Sequence, residues 1–300
     1  MRQGEASHTA AHMALFRALE HARPRATRRI ADPFARAFVD GRLRAVVALG
    51  ALPGARDLVC GYIDRQWPGA RTSAIARTSF IDERADAAVA AGIGQIVLLG
   101  AGYDTRPYRL RGWDRLAVFE VDHPDTQARK RRILGEVLGV APSRTRFVPV
   151  DFDRERVEDA LDAAGYDRTR PTLFIWEGVT NYLTETAVDG TLRWCARAAP
   201  SSRLVFTYVH RAVLDDPASF FGTARLFATL DASGERWTFG LDPAGLAGFL
   251  AVRGLRLDED VGAGEYRRRC YGTMAVAMRG YEFYRIACAH VPTPAAATSA

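Results

Sequence analysis

Apolar side chains recur at three- and four-residue intervals through residues 1–92, and after Gly94 they gather into short continuous runs. The first period marks amphipathic helices; the second marks strands covered on both faces. In Thr9–Ala22, Ala11, Leu15, Ala18 and Leu19 share one face. In Asp32–Leu43, Asp32 precedes Pro33, an N-cap followed by proline at the first helical position, and this predicts a second helix. In Ser73–Gly92, Ile75, Phe80, Ile81, Ala85 and Val89 form a stripe that Gly92 is placed to stop.

Five of the later runs read as parallel strands, at 95–102, 116–122, 145–152, 172–178 and 202–209. Helix-length segments lie at Pro124–Val140, Asp153–Ala164 and Thr184–Ala198. The alternation predicts a doubly wound, Rossmann-like α/β domain. A helical insertion follows at 210–241, then a helix at Asp242–Gly254 and strands at Leu255–Gly262 and Cys270–Gly280, giving a seven-stranded, mostly parallel sheet. No repeat or linker divides residues 1–289, which read as one domain: helical 1–92, core 93–209, insertion or lid 210–241, and a C-terminal part 242–289. The low-complexity stretch His290–Ala300 predicts a disordered tail.

Composition narrows the classes. Three hundred residues at 48% hydrophobic can bury a full core. The chain has no apolar run of membrane-spanning length, and its N-terminus lacks the apolar segment of a secretory signal, so a cytoplasmic protein without a membrane partner is expected. Cys60, Cys195, Cys270 and Cys288 are isolated, with no zinc-like spacing, and read as reduced thiols; no metal is expected. The net charge is +6, but Lys130 is the only lysine among 41 basic residues and the arginines are spread along the chain. That distribution reads as a coding bias, and no nucleic-acid partner is expected.

The informative chemistry lies at the strand ends. In an open parallel sheet, ligands bind outside the carboxyl ends of the strands. Here those ends read Gly100-Ala101-Gly102, Glu120-Val121-Asp122, Asp151-Phe152 and Glu177-Gly178. Gly100 and Gly102 allow close backbone approach, and Asp122 lies at the reach of a ribose-binding acid. A dinucleotide fingerprint would need glycine where Thr105 stands, and a carboxylate at Asp104 would repel a diphosphate. An adenosyl ligand without phosphate fits better. An NAD(P)-dependent oxidoreductase and a non-catalytic adenosyl-binding protein remain the alternatives.

The segments "ARTSFIDE" (76–83), "LLGAGYDTRPYRL" (98–110), "FEVDHP" (119–124), "VPVDF" (148–152) and "PTLFIWEGVTNYLT" (171–184) occur in this order. Together they resemble the leucine carboxyl methyltransferase-like family of class I S-adenosylmethionine-dependent O-methyltransferases, over roughly His8–Gly280. That family includes protein phosphatase carboxyl methyltransferases and polyketide carboxyl methyltransferases of the tetracenomycin type.

The resemblance implies S-adenosylmethionine as cofactor and a role for each matching residue. Arg77 corresponds to the arginine that holds the methionyl carboxylate near the acceptor. Gly100 and Gly102 match the glycine turn, and Asp122 the acid on the ribose. Asp151 and Phe152 match the pair beside the adenine, and Glu177 the acid near the methionine moiety. Tyr182 matches the tyrosine that contacts the acceptor carboxylate.

An acceptor carboxylate is ionised at neutral pH and needs no base, whereas a phenol would use one; His210, directly after the fifth strand, is the candidate. Trp176-Glu177-Gly178-Val179 departs from the phosphatase branch, and the insertion adds Phe220, Phe221, Phe227 and Trp237. These departures point to a small-molecule acceptor, expected in natural-product metabolism.

Overall fold

The continuous apolar runs form a buried sheet in the computed structural model, which describes residues 8–52, 54–139, 145–151 and 155–293. Strands β1 (Gln95–Leu99), β2 (Ala117–Asp122), β3 (Thr145–Pro149), β4 (Thr172–Trp176) and β5 (Arg203–Val209) run parallel. Strands β6 (Arg256–Gly262) and β7 (Tyr284–His290) join antiparallel, in the order β3-β2-β1-β4-β5-β7-β6. Every residue of β1 and β4 is buried, which explains their lack of polar alternation. Strand order reverses at β1, with β2 and β3 on one side and β4 on the other, so the ligand crevice opens beyond Leu99.

The helices are α1 (His8–His21), α2 (Gly41–Gly50), α3 (Ala55–Gln66), α4 (Ala70–Ala90) and the single turn α5 (Arg106–Arg109). They continue as α6 (Pro124–Leu138), α7 (Val157–Ala163), α8 (Glu185–Cys195), the single turn α9 (Ala212–Asp215), α10 (Thr223–Ser233), α11 (Leu246–Ala251) and α12 (Ala263–Tyr271). On one face of the sheet, Ile96, Leu98, Val118, Ile175 and Ile286 pack with α1, α4, α6 and α12. On the other, Val97, Leu99, Phe119, Phe174 and Trp176 pack with α7, α8 and α11. A smaller apolar cluster joins the insertion to the start of β7 through Val213, Phe220, Trp237, Phe283 and Tyr284.

Three expectations are corrected. Asp32 does accept the N–H groups of Phe34 and Ala35, at 3.1 and 3.0 Å, but it caps only a 3-10 turn at Ala35–Phe38. The backbone then extends at Val39, and α2 starts afresh at Gly41. The segment Cys270–Gly280 is no strand: it ends α12 and continues as a 3-10 helix, Gly272–Ala277, burying Ala275 while Met274 and Val276 face water. The seventh strand lies further on, where β7 pairs with β5 from Val209↔Tyr284 to Arg203↔His290. His290 therefore belongs to the sheet rather than to a tail, and Val291 bonds to the Ser202 carbonyl; residues 294–300 lie outside the described residues.

The only lysine of the chain is buried in this fold. Lys130 of α6 places its Nζ 2.7 Å from Glu120 of β2, and the Tyr108 hydroxyl donates to the same carboxylate at 2.7 Å. Glu120 and Lys130 are both essentially inaccessible. Burial pushes the Glu120 carboxyl above its ordinary value even against the ammonium beside it. A buried pair is costly to make and more costly to break, because the surviving charge has no solvent. Lys130→Met alone is expected to lower the unfolding free energy by about 3 kcal/mol, and adding Glu120→Gln to restore much of the loss. Urea unfolding of the two single variants and the double variant checks this; additive losses would show that the pair does not interact.

Candidate active site

Beyond Leu99 the chain turns at Gly100, whose φ is +67°, in the left-handed region; a Cβ there would lie 2.4 Å from Val179 Cγ2. The N–H groups of Gly100 and Ala101 both bond to the Val121 carbonyl of β2, so the turn crosses the sheet end. The Gly102 N–H donates to one oxygen of Asp122, and the His123 N–H donates to the other at 2.7 Å. Burial pushes the Asp122 carboxyl up, while these two N–H groups pull it back. Gly100, Gly102 and Asp122, singled out separately in the sequence, thus form one unit.

Asp104 and Thr105, the residues that spoil a dinucleotide fingerprint, tie this turn to the N-terminal helices. Asp104 accepts from Arg106 twice, from its backbone N–H at 2.8 Å and from Nη1 at 2.6 Å. Arg106 also meets Asp82 of α4 at 2.7 Å and Glu177 after β4 at 2.9 Å. Arg109 grips Asp82 with two bonds of 2.6 and 2.8 Å. The Thr105 hydroxyl donates to Asp32 at 2.6 Å, and Arg17 of α1 joins Asp32 at 2.8 Å and the Tyr103 carbonyl at 2.6 Å. Arg106 thus holds both oxygens of Asp104.

Arg77 and Glu177, one hundred residues apart, do come together, with Nε donating to Oε1 at 2.8 Å. The guanidinium lies 4.8 Å from the Tyr284 ring centroid, and its Nη2 reaches the Met13 sulfur at 3.4 Å. Burial works to raise the Glu177 carboxyl, but Arg106 and Arg77 outweigh it and hold the group below its ordinary value.

Tyr182 closes the 3-10 turn Thr180–Tyr182 after β4, with its hydroxyl 3.4 Å from Thr9 of α1. Its ring meets Trp237 edge-on at 6.5 Å, and Trp237 also packs on Phe227, Phe283 and Tyr284 at 5.5, 5.8 and 6.1 Å. Burial pushes the Tyr182 phenol up to about 12. The Tyr284 hydroxyl donates to Asn181 Oδ1 at 3.3 Å. Asn181 is fully buried, and among the described residues its Nδ2 finds no partner, nor does the buried Tyr266 hydroxyl.

His210 stands elsewhere in the aromatic cluster. Its Nδ1 accepts the Ala212 N–H at 3.1 Å, and its ring packs 5.7 Å from Phe220. Asp151 follows β3, with its N–H bonded to Glu155 at 2.8 Å; its expected neighbour Phe152 lies outside the described residues.

The sequence pattern does not single out Arg106, Asp82, Asp32 and Arg17 as site residues, nor Tyr284, Asn181 and Met13. The first four sit inside motif or amphipathic segments, but nothing local says that they meet. Their pairing has an acid-sensitive signature. Burial alone would raise the Asp104 carboxyl, yet Arg106 and Lys130 hold it down at about 2. A depressed carboxyl contributes stability above its unfolded value, near 4, and that contribution is lost as pH falls toward 2. Asp104→Asn is expected to cost on the order of 2 kcal/mol at neutral pH and to flatten the stability profile between about pH 4 and pH 2. Denaturant titrations across that window test it; parallel profiles for wild type and variant would contradict the linkage.

Comparison with known proteins bears on this geometry. The model of the leucine carboxyl methyltransferase family matches residues 10–196. A Frankia alni protein, provisionally described as an S-adenosyl-L-methionine-dependent methyltransferase, is 37% identical over 208 residues, 69% of this chain and 70% of its own. A Streptomyces coelicolor protein with the same provisional description is 37% identical over 209 residues, again 69% and 70%. Among solved structures, a Thermobifida fusca protein provisionally described as a methyltransferase superposes with a TM-score of 0.62 at 17% identity, covering 97% of both chains. A DUF574 family protein from Streptomyces avermitilis gives 0.57 at 17% identity, covering 96% of this chain and 99% of its own. Both likenesses concern the fold. The family match, taken with the strand order and the glycine–acid unit, displaces the oxidoreductase alternative: the chain belongs to the leucine carboxyl methyltransferase family of S-adenosylmethionine-dependent methyltransferases.

Proposed function

We propose that this enzyme methylates a carboxylate of a small, largely apolar molecule, with S-adenosylmethionine as the methyl donor. The residues at the strand ends fit an adenosyl donor. The glycine turn presents backbone without side chains, and the half-buried Asp122 carboxylate at the neighbouring strand end suits ribose hydroxyls. Asp151, after β3, is the acid for the adenine amino group. The Arg77 guanidinium gives one donor to Glu177 and one to Met13, and its other N–H groups suit the methionyl carboxylate. Bound there, S-adenosylmethionine supplies a methyl group on a sulfonium, an electrophile that a carboxylate oxygen can attack without first losing a proton.

The observation that carries the carboxylate reading is the state of the groups able to act as a base. Burial keeps the Tyr182 phenol protonated near neutrality, with a value of about 12, and pushes Tyr266 and Tyr284 up as well. Glu177, lowered by two arginines, is a weak base. The His210 Nδ1 lone pair is spent on a backbone N–H, so that nitrogen is not free to take a proton from an acceptor. A phenol or alcohol needs its proton removed, whereas a carboxylate arrives ionised. Tyr182 then serves as a hydrogen-bond donor that orients the acceptor, and Arg77 attracts its charge. The half-buried rings of Trp237 and Phe227, backed by the buried Phe283 and Tyr284, offer an apolar wall to the rest of the molecule.

Incubation with labelled donor and a panel of carboxylic acids and phenols is expected to give base-labile methyl esters. The turnover rate should stay flat between about pH 6 and pH 8. Methylation confined to phenols, with a rate climbing with pH, would refute the reading. Tyr182→Phe is expected to lower kcat about tenfold without bending that flat profile. Asp122→Asn keeps the side-chain volume but exchanges an acceptor for a donor, and calorimetry should find donor affinity about tenfold weaker. An unchanged affinity would remove Asp122 from the ribose.

A further inference from the structure

The α2–α3 hairpin takes no part in the site described above, and its surface is unlike the rest. Residues 45–55 carry no charged side chain. Of α2, only Val47 and Gly50 are buried. Leu49, Leu52, Leu58 and Tyr62 are 50, 54, 78 and 62% exposed. Large apolar side chains scattered singly over a surface need no explanation, but four within fourteen residues of two packed helices do.

The charges around this patch say what covers it. Exposed Arg42 and Arg44 precede the uncharged run and exposed Arg65 follows it, with Arg56 at its edge. Of the nearby acids, Asp64 is paired with Arg71 at 2.6 Å and Asp40 with Arg129, and exposed Asp57 sets one negative charge against the four arginines. Seven residues of helix separate Arg42 from Leu49, a rise of about 10 Å. That offset matches the distance between a lipid headgroup and the acyl boundary, where interfacial elements bury their apolar side.

We propose that the α2–α3 hairpin docks on an anionic lipid bilayer, with Leu49, Leu52 and Leu58 entering the interface and Arg42 and Arg44 meeting the headgroups. Among the described residues no helix is long and apolar enough to cross a membrane, and the uncharged run is too short to span one. The contact is therefore peripheral. The expectation of no membrane partner rests on the lack of a spanning segment, a criterion to which a docking hairpin is invisible. The hairpin's base adjoins the insertion, where Arg225 Nη1 donates to the Gln66 carbonyl at 2.9 Å. The proposal holds whichever acceptor the enzyme uses.

Cosedimentation of the full chain with vesicles tests the proposal. The protein is expected to pellet with phosphatidylcholine vesicles doped with phosphatidylglycerol and to stay in solution with phosphatidylcholine alone. The double variant Leu52→Asp, Leu58→Asp should bind the anionic vesicles about tenfold less, with its circular dichroism, melting temperature and donor affinity unchanged. Arg42→Glu, Arg44→Glu should weaken binding comparably. No pelleting with anionic vesicles at low ionic strength overturns the proposal, as does equal binding by the leucine variant. A wild-type dimer that the leucine variant dissociates also overturns it, by assigning the surface to a second copy.

Discussion

Arg106 is 2% exposed, and its guanidinium meets Asp82 of α4, Asp104 of the glycine turn and Glu177 after β4. A cation sealed this deeply would be ruinous without partners, and a planar fork of five donors is the side chain able to satisfy three carboxylates at once. Each carboxylate comes from a different part of the chain. Once the arginine is buried, the helix that carries Arg77, the turn that carries Gly102 and the strand end that carries Glu177 are held in one geometry. Arg109, Asp32 and Arg17 extend the same lattice to α1. The rest of the site depends on this arrangement, because Asp122 and Arg77 attach to its two ends.

The lattice also sets the protonation of the site. Arginines hold Asp104 and Glu177 below their ordinary values against the pull of burial, while burial pushes up Tyr266 and Tyr284 beside Arg77. The result is a set of fixed charges and fixed donors at the strand ends. Such a site suits a reaction in which both partners arrive in their reactive states and need only to be held in place. The apolar cluster under the insertion adds the complementary property, since Trp237 and its neighbours offer surface rather than chemistry.

Much of the fold is legible in the amino-acid pattern. The change from helical period to continuous runs at Gly94 marks where the sheet begins, and β1, β2, β4 and β5 start within one residue of the runs that announce them. The runs overreach at their ends, because β1 stops at Leu99 when Gly100 turns away. β7 is hidden from pattern: "YRIACAH" is weakly apolar and is held by register with β5, whereas "MAVAM" looks like a strand and packs as a 3-10 turn. Asp32 shows the same limit. Its local signature as an N-cap is real, yet the same carboxylate also anchors Arg17 and, 73 residues away, Thr105.

By itself the sequence determined the class of fold and the glycine–acid unit at the first two strand ends. Periodicity and spacing are local properties, and an unpaired glycine turn followed by Asp122 has few other uses. Only the tertiary structure decided which acids are free to meet a ligand and which are locked. Asp104 and Asp122 are both acids at the same crevice, but one faces a buried guanidinium and the other a pair of backbone N–H groups. That difference arises from what packs around each carboxylate and excludes water from it, and desolvation is a property of the folded chain rather than of any segment.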